Sequence, residues 1–319
     1  MDLYQLLKRK NKMKISIKNI TLVLVVLVGL QSYGQQEPLY TQYYNNFNLI
    51  NPAYSGSNGH LTAVANIRSQ WAGEAGSPET QTFSMHSATG KNVGLGLSIV
   101  HDKVFIRSNT EVFADFSYAF QVSEIATLSF GLKAGGSFLN VNLQELGIAD
   151  DTSLSENIDN FNPNLGAGVL YYTDRFYASL STVNILETTH YDSNSTSSTA
   201  LDNMVFYLSA GYVIDLGNDF KLRPSFMVRA VDGSPLSTDI TASILWNNKL
   251  EFGISHRLDE SISGLFQVRV NDYFKVGYSY DSLTNNLNNY NNGSHEISFV
   301  FDIGSKGKYA SKNKTPLFW

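Results

Sequence analysis

Apolar and polar residues alternate one by one through most of this chain, and this alternation most constrains its fold. In the segment 111–120 every even-numbered residue is apolar, whereas odd-numbered positions carry Glu111, Asp115 and Ser117. The same pattern recurs along the chain from about residue 61. Side chains of a strand point alternately to its two faces, so period two predicts β-strands, each with one apolar face.

The strand count and lengths favour a membrane-spanning barrel. The segments run to about ten residues, the length of a tilted spanning strand. Only 16% of the 319 residues are charged, against about 25% in ordinary soluble domains. Beyond the N-terminus no apolar run approaches the ~20 residues of a spanning helix. We therefore predict an all-β fold, a transmembrane antiparallel β-barrel of about 14 strands, with 12 as the alternative.

The connections between predicted strands alternate in length. The tight ones are residues 88–91, 122–125, 173–175, 215–219, 247–248 and 271–272, and the long polar ones include 141–162, 184–202 and 282–293. Short turns at one end and long loops at the other are typical of outer-membrane barrels, where the short side is periplasmic. A soluble sandwich gives no reason for such alternation. Both chain termini are thus predicted to be periplasmic.

The N-terminus has the pattern of a cleavable signal peptide. Six Lys/Arg residues precede the apolar run Ile20–Leu30, and Ser32-Tyr33-Gly34 supplies a small-x-small site. A membrane anchor helix is the alternative, although the run is short for one. Removal of residues 1–34 takes away six of 23 basic and one of 28 acidic residues, which leaves a net charge of −10. Nucleic-acid binding is therefore not expected.

The chain divides into four predicted parts: the signal peptide at 1–34, a pre-barrel segment at 35–60, the barrel at 61–304, and a basic periplasmic tail at 305–319. The pre-barrel segment contains Tyr40, Tyr43, Tyr44, Phe47 and Tyr54. Ordered aromatics favour packing over disorder, so this segment is predicted to plug the lumen. A loose periplasmic lead is the alternative.

Charged residues fall on the predicted inner face of the barrel. Such charges either form a salt-bridge lattice that packs the lumen or line a selective solute channel. The charges assigned to the lumen are Glu111, Asp115, Lys133, Arg223, Arg229, Glu251, Arg257, Arg269, Lys275, Glu296 and Asp302.

Enzymatic and metal chemistry have little support in the sequence. The chain contains no Cys, no HxH or HExxH pair and no GxSxG elbow. Ser294 and His295 are neighbours, but adjacent strand residues point to opposite faces. We predict no catalytic residue, no cofactor and no metal ligand.

A set of ordered motifs resembles one known family. Ile50-Asn51-Pro52-Ala53-Tyr54-Ser55-Gly56 follows Tyr40-Thr41-Gln42-Tyr43, and Arg68-Ser69-Gln70-Trp71-Ala72-Gly73 comes next. Later blocks include Gly94-Leu95-Gly96, Gly131-Leu132-Lys133, Gly166-Ala167-Gly168, Gly277-Tyr278-Ser279 and Gly293-Ser294-His295-Glu296. In this order the blocks resemble the PorP/SprF family over nearly the whole mature chain. The candidate partner-contacting residues within these motifs are Gln42, Tyr43, Asn51, Pro52, Tyr54, Gly56, Arg68, Gln70, Trp71 and Gly73.

The resemblance implies a non-enzymatic role in the outer membrane of Bacteroidota, in type IX secretion and the gliding motility associated with it. The partners that it implies are a secreted protein with a C-terminal sorting domain, other secretion components and outer-membrane lipid. A small-solute channel and a lipid-modifying enzyme are the rival hypotheses. The secretion role rests on the family resemblance alone, since neither composition nor residue spacing distinguishes it from the two rival hypotheses.

Overall fold

The structure is a computed structural model. It describes residues 40–146 except 91, 157–186, 204–304 except 233 and 290, and the pair 316–317. The predicted signal peptide, 1–34, lies outside the described residues, as does most of the predicted tail. No helix in the described part of the chain is long and apolar enough to cross a membrane.

Strands account for most of the described chain. They are β1 Leu61–Ser69, β2 Glu79–Ala88, β3 Val93–Val104, β4 Arg107–Gln121, β5 Thr127–Val141, β6 Ile158–Tyr172, β7 Phe176–Val183, β8 Val205–Tyr212, β9 Ile214–Gly217, β10 Phe220–Val231, β11 Ser237–Trp246, β12 Leu250–Arg257, β13 Ser261–Asn271, β14 Phe274–Leu283 and β15 Ser294–Ile303. Strands β8 and β9 are separated by Val213 and both pair with β10, so they form one interrupted strand of the wall.

The sheet closes on itself. Neighbouring wall strands pair antiparallel in chain order, β10 pairs with β11, and β1 pairs with β15 over the rungs from Leu61–Ile303 to Ser69–His295. With β8 and β9 counted together, the wall is a closed antiparallel barrel of 14 strands. The predicted fold class and strand number are confirmed.

The barrel is polar inside and apolar outside. In β2, Phe83 points outward and is 41% exposed, whereas Ser84 on the inner face is fully buried. Leu132 of β5 is 63% exposed, and its neighbour Lys133 is buried. A soluble protein buries its apolar face, so this inverted arrangement is that of a barrel surrounded by lipid.

Tight hairpins close one end of the barrel. Asn247 and Asn248, between β11 and β12, both have positive φ, near 52°. Two consecutive positive φ values are those of a type I′ turn, which matches the twist of paired strands and which Asn tolerates. Both ends of the wall, Leu61 of β1 and Ile303 of β15, lie at this short-turn end.

The opposite, long-loop end has an uneven rim. The sequence predicts a loop over residues 141–162, but β5 continues through Val141 and β6 begins at Ile158, and the two strands pair residue by residue. Asn and Asp in this region favour turns in isolation, and pairing with the neighbouring strand overrides that preference. Strands β4, β5 and β6 consequently project beyond β7, whose last rung with β6 is Thr182–Ala167.

Candidate functional site

Residues 40–59 lie inside the barrel and form the candidate site, here called the plug. The plug is a series of tight turns with two 3-10 helices, Phe47–Leu49 and Pro52–Tyr54. The Asn51 side chain accepts a hydrogen bond from the Ala53 N–H at 2.8 Å, and Pro52 occupies the first helical position. Asn at the N-cap followed by Pro is a favourable helix start, so the Asn-Pro pair shapes the plug locally.

One end of the plug is held by a buried carboxylate. Glu296 of β15 is fully buried and accepts hydrogen bonds from the backbone N–H groups of Thr41 at 2.9 Å and Gln42 at 3.0 Å. The Arg68 guanidinium of β1 lies 3.0 Å from Glu296 and 2.7 Å from Asp281 of β14. We call the residues Thr41, Gln42, Arg68, Asp281 and Glu296 the clamp.

The charges of the clamp explain why the plug stays in place. One guanidinium faces two carboxylates, and Asn66 of β1 also donates to Glu296, at 2.9 Å. The plug supplies further donors, including the Thr41 hydroxyl, which donates to Asp281 at 2.8 Å. A buried carboxylate that loses its donors is costly, by several kcal/mol. Withdrawal of the plug would remove these donors from Glu296 and Asp281 together.

Small polar side chains of the wall form hydrogen bonds with other parts of the plug. Asn51 donates to the Ser179 hydroxyl at 2.7 Å, the Ser181 hydroxyl donates to the Ile50 carbonyl at 2.6 Å, and Gly56 N–H donates to His86 Nδ1 at 3.1 Å. Buried backbone groups require such partners. The Ser and Thr residues on the inner faces of the strands therefore act as hydrogen-bonding partners of the plug.

Glycines of the wall make room for the plug backbone. A Cβ on Gly131 would overlap the Ala53 nitrogen, and a Cβ on Gly94 would overlap the Ser55 carbonyl oxygen. The same holds for Gly168 against the Asn51 side chain and Gly277 against Gln42. These glycines belong to the family-like blocks quoted above, so several of those blocks are places where the wall contacts the plug.

An aromatic cluster fills the space between the plug and the wall. The Phe47 ring meets Tyr54 at 5.5 Å and Tyr177 of β7 at 5.8 Å, both edge to face. The Tyr44 ring lies 4.4 Å from the Arg223 guanidinium, a cation–π contact. Burial raises the pKa of the Tyr43, Tyr44 and Tyr54 hydroxyls, so all three are neutral at physiological pH.

The C-terminal tail also reaches this cluster. Pro316 and Leu317 are the only tail residues within the described part, and both are buried. Leu317 belongs to the same apolar cluster as Tyr43 and Phe47. The sequence predicts a basic periplasmic tail at 305–319, and Leu317 of this tail packs with the apolar cluster.

Most of the predicted lumen charges form buried ion pairs. Lys133 lies 2.9 Å from Asp115, its partner in the β4–β5 register, and Arg257 lies 2.8 Å from Asp239 across β11–β12. Arg223 pairs with Glu251, and Lys275 lies 3.6 Å from Asp302. Arg229 is buried as well, whereas Glu111 and Arg269 are half-buried.

The predicted motif residues fall into two groups. Gln42, Tyr43, Asn51, Pro52, Tyr54, Gly56 and Arg68 are brought together in the lumen. Gln70, Trp71 and Gly73 lie instead at the long-loop rim, where the Ala72 N–H donates to the Gly293 carbonyl at 2.8 Å. Trp71 is 40% exposed.

The lumen charges predicted from the sequence do not include two carboxylates of the site, Asp239 and Asp281. The signal was present, because Asp239 precedes the outward-facing Ile240 and Asp281 follows the outward-facing Tyr280. Alternation alone therefore places both carboxylates inward. In the described residues no group of three or more His, Asp or Glu side chains is arranged to hold a metal ion.

Comparison with known proteins gives one family and several weak structural similarities. The family model described as "Type IX secretion system membrane protein PorP/SprF" matches residues 32–301. No curated protein matches the chain. The similarities to solved structures are low in both sequence identity and TM-score, so nothing about transport or ligands is concluded from them.

The CymD monoaromatic hydrocarbon channel is 13% identical with a TM-score of 0.48, and the match covers 85% of this chain and 94% of that one. A Pseudomonas aeruginosa FadL homologue is 12% identical with a TM-score of 0.46, covering 79% and 92%. Acinetobacter baumannii Omp33 is 8% identical with a TM-score of 0.45, covering 77% and 99%.

Proposed function

The chain belongs to the PorP/SprF family of type IX secretion system membrane proteins, and we propose that it receives and anchors a secreted protein that carries a C-terminal sorting domain. It is an outer-membrane component of that system with a β-barrel fold. The proposed role is non-enzymatic and serves gliding-associated surface proteins. The proposed route to the membrane is export by the signal peptide 1–34.

The occupied lumen is the observation that supports anchoring over solute transport. The plug donates to Glu296 and Asp281 on one side and meets Ser179, Ser181 and His86 on the other. A solute path through the middle of the barrel would have to displace this packed segment. A barrel that holds a protein partner at its surface needs no such path, so the packed interior fits a scaffold.

The buried ion pairs favour the same reading. Charges that line a water-filled channel stay hydrated and available to solutes, whereas Asp115–Lys133 and Asp239–Arg257 are paired and buried. Such pairs fix neighbouring strands and fill space. The lumen charges are therefore interpreted as part of the packing lattice rather than a selectivity filter.

Deletion of the gene tests the proposed role directly. Surface proteins of deletion and parent strains are compared by surface biotinylation and mass spectrometry, with the gene returned on a plasmid as control. We expect one or more proteins with a C-terminal sorting domain to disappear from the surface and to return on complementation. Unchanged surface display of every such protein would contradict the proposal.

A further inference from the structure

The two ends of the plug lie at opposite ends of the barrel, and strand β15 contacts both. The Thr41 and Gln42 N–H groups bind Glu296, one rung inside the long-loop end of the β1–β15 ladder. His60, which joins the plug to β1, places its Nε2 3.5 Å from Asp302, one rung inside the short-turn end of the same ladder. Because both contacts fall on one strand, the tilt of the strands does not affect this comparison. The two carboxylates are about 20 Å apart along β15.

Strand β2 contacts the plug in the same order. Asn46 donates to the Thr82 hydroxyl at 3.1 Å and accepts from the Ser84 hydroxyl. Ten residues later in the plug, the Gly56 N–H donates to His86. Residue numbers in β2 rise from the long-loop end to the short-turn end. Both strands therefore show that the plug runs from the long-loop end at its N-terminal side to the short-turn end at its C-terminal side.

The covalent link to the wall determines this direction. The C-terminal side of the plug continues directly into Leu61, the first residue of β1, which lies at the short-turn end. The N-terminal side has no such link to the wall and is held at Thr41 and Gln42 by the hydrogen bonds of the clamp. The plug is thus tethered at one end of the barrel and clamped at the other.

We propose that the plug runs outward, so that the N-terminus of the mature chain lies at the outer mouth of the barrel and is accessible from the cell surface. The long loops of an outer-membrane barrel face the cell exterior. With cleavage after Gly34, six residues precede Thr41, and an extended segment of that length reaches about 20 Å. The way back to the short-turn end is about 23 Å along β15, from Glu296 to Ile303, and leads past the plug itself.

This inference goes beyond the proposed function and does not depend on it. The loop pattern of the sequence predicts that both termini are periplasmic, and the direction of the plug revises this prediction for the N-terminus. A partner at the cell surface would meet the plug at its N-terminal side, next to the clamp. A periplasmic partner would meet only the side that is joined to β1. The barrel thereby offers a surface partner a chain end in addition to its long loops.

Thiol labelling of intact cells tests which side of the membrane the N-terminus faces. The chain contains no Cys, so Glu37→Cys introduces the only thiol of the protein. Ala75→Cys, in the exposed loop between β1 and β2, is the control for the long-loop end. Asp272→Cys, in the exposed turn between β13 and β14, is the control for the short-turn end. A polyethylene-glycol maleimide too large to cross the outer membrane is added to intact and to permeabilised cells, and the labelled fraction is read as a gel shift.

We expect Glu37→Cys to be labelled in intact cells to the same fraction as Ala75→Cys, and Asp272→Cys to be labelled only after permeabilisation. Labelling of Glu37→Cys only after permeabilisation would place the N-terminus in the periplasm. Labelling of Glu37→Cys only after denaturation would enclose it in the lumen. Labelling of Asp272→Cys but not Ala75→Cys in intact cells would reverse the orientation of the barrel. Each of these three results overturns the inference.

Crosslinking of the purified full-length protein in lipid vesicles tests the path of the plug. The Asn45 side chain donates to the Ser298 hydroxyl at 3.1 Å. One variant combines Asn45→Cys with Ser298→Cys, and its control combines Asn45→Cys with Ser294→Cys. Ser294 has the same residue type, strand and inner face, but lies about 13 Å nearer the long-loop end. Both variants carry the same substitution in the plug, so any loss of its contact affects them equally.

A short bifunctional thiol reagent is added to both double variants, and linked peptides are quantified by mass spectrometry. We expect the link from position 45 to position 298 to form several-fold more than the link to position 294. Equal links, or a link to position 294 alone, would show that the plug does not descend along β15 in this direction. The outward placement of the N-terminus would then be wrong, whatever the role of the barrel in secretion.

Discussion

At the scale of single residues, the site depends on positions where the wall has no Cβ. Gly131 faces the backbone of Pro52 and Ala53, and any side chain there would overlap atoms that cannot move without shifting the plug. Gly264 of β13 offers the matched contrast, because an added Cβ there meets nothing within 4 Å. The two glycines thus separate plug contact from the general effect of a strand glycine.

We expect Gly131→Ala to destabilise the folded barrel by about 1–3 kcal/mol, the usual cost of overpacking a filled interior. The free energy of unfolding is measured by urea titration in lipid vesicles. Gly264→Ala serves as control and should be neutral or slightly stabilising. Equal effects of the two substitutions would contradict the contact between β5 and the plug.

The clamp offers a second test at this scale. Glu296→Gln keeps the shape of the side chain but replaces one acceptor oxygen by an NH2 group, which only donates. The side chain can then no longer accept hydrogen bonds from both the Thr41 and the Gln42 N–H groups. We expect a loss of about 3–5 kcal/mol, typical of one broken partner in a buried ion pair. The comparison is Asp215→Asn, in the exposed Arg175–Asp215 pair, where the expected loss is below about 1 kcal/mol. Similar losses would show that Glu296 is not a buried anchor.

Which residues face inward could be predicted from the sequence, and which of them meet could not. Alternation places Lys133, Arg223 and Glu296 on the inner faces. The contact between Arg68 and Glu296 joins residues 228 positions apart and depends on closure of β1 against β15. A period-two pattern carries no information on register between distant strands, so the clamp could not be predicted from it.

At the scale of elements, the plug is the part whose removal has the clearest consequence. Its donors reach Glu296 on β15 and its carbonyls meet Ser117 on β4 and Ser181 on β7, so it bridges separate parts of the wall. Glycines and serines on the wall accommodate it. A barrel of 14 strands without the plug would have a polar, hydrated interior.

Deletion of residues 41–58 is therefore expected to convert a silent barrel into a conducting one. The intact protein should show little steady current in planar lipid bilayers, and the deletion variant should show stable open-channel steps, because water can fill the vacated space. Circular dichroism of the variant checks that the strands still form. Large stable currents through the intact protein would contradict a packed lumen and favour the solute-channel hypothesis.

The ends of strands could be predicted from the sequence only where one face of the strand still carries apolar residues. β5 and β6 continue through Asn140, Asn160 and Asn162, which resemble a loop in sequence. Their strand conformation comes from the ladder with the neighbouring strand rather than from their own preference. The uneven rim at the long-loop end is a consequence of this extension, which is why no sequence pattern indicated it.

At the scale of the whole molecule, exposed apolar side chains occur both in the middle of the wall and at its projecting long-loop end. The outward-facing Leu132 lies in the middle of β5, whereas Phe161 lies on the part of β6 that projects beyond β7. Both side chains are more than half exposed, at 63% and 56%. The exposed fraction of a side chain does not tell whether it faces lipid or water. The free-energy cost of placing a charge at that position does.

We expect Leu132→Arg to cost about 2–4 kcal/mol of folding free energy and Phe161→Arg about 0–1 kcal/mol, since the cost of Arg on the lipid face falls from the midplane to the interface. Both values come from urea titration of barrels folded into lipid vesicles, with Leu132→Ala and Phe161→Ala as size controls. A cost at Phe161 as large as at Leu132 would place the end of β6 within the hydrocarbon. A small cost at Phe161 instead places this projecting end of β6 outside the hydrocarbon.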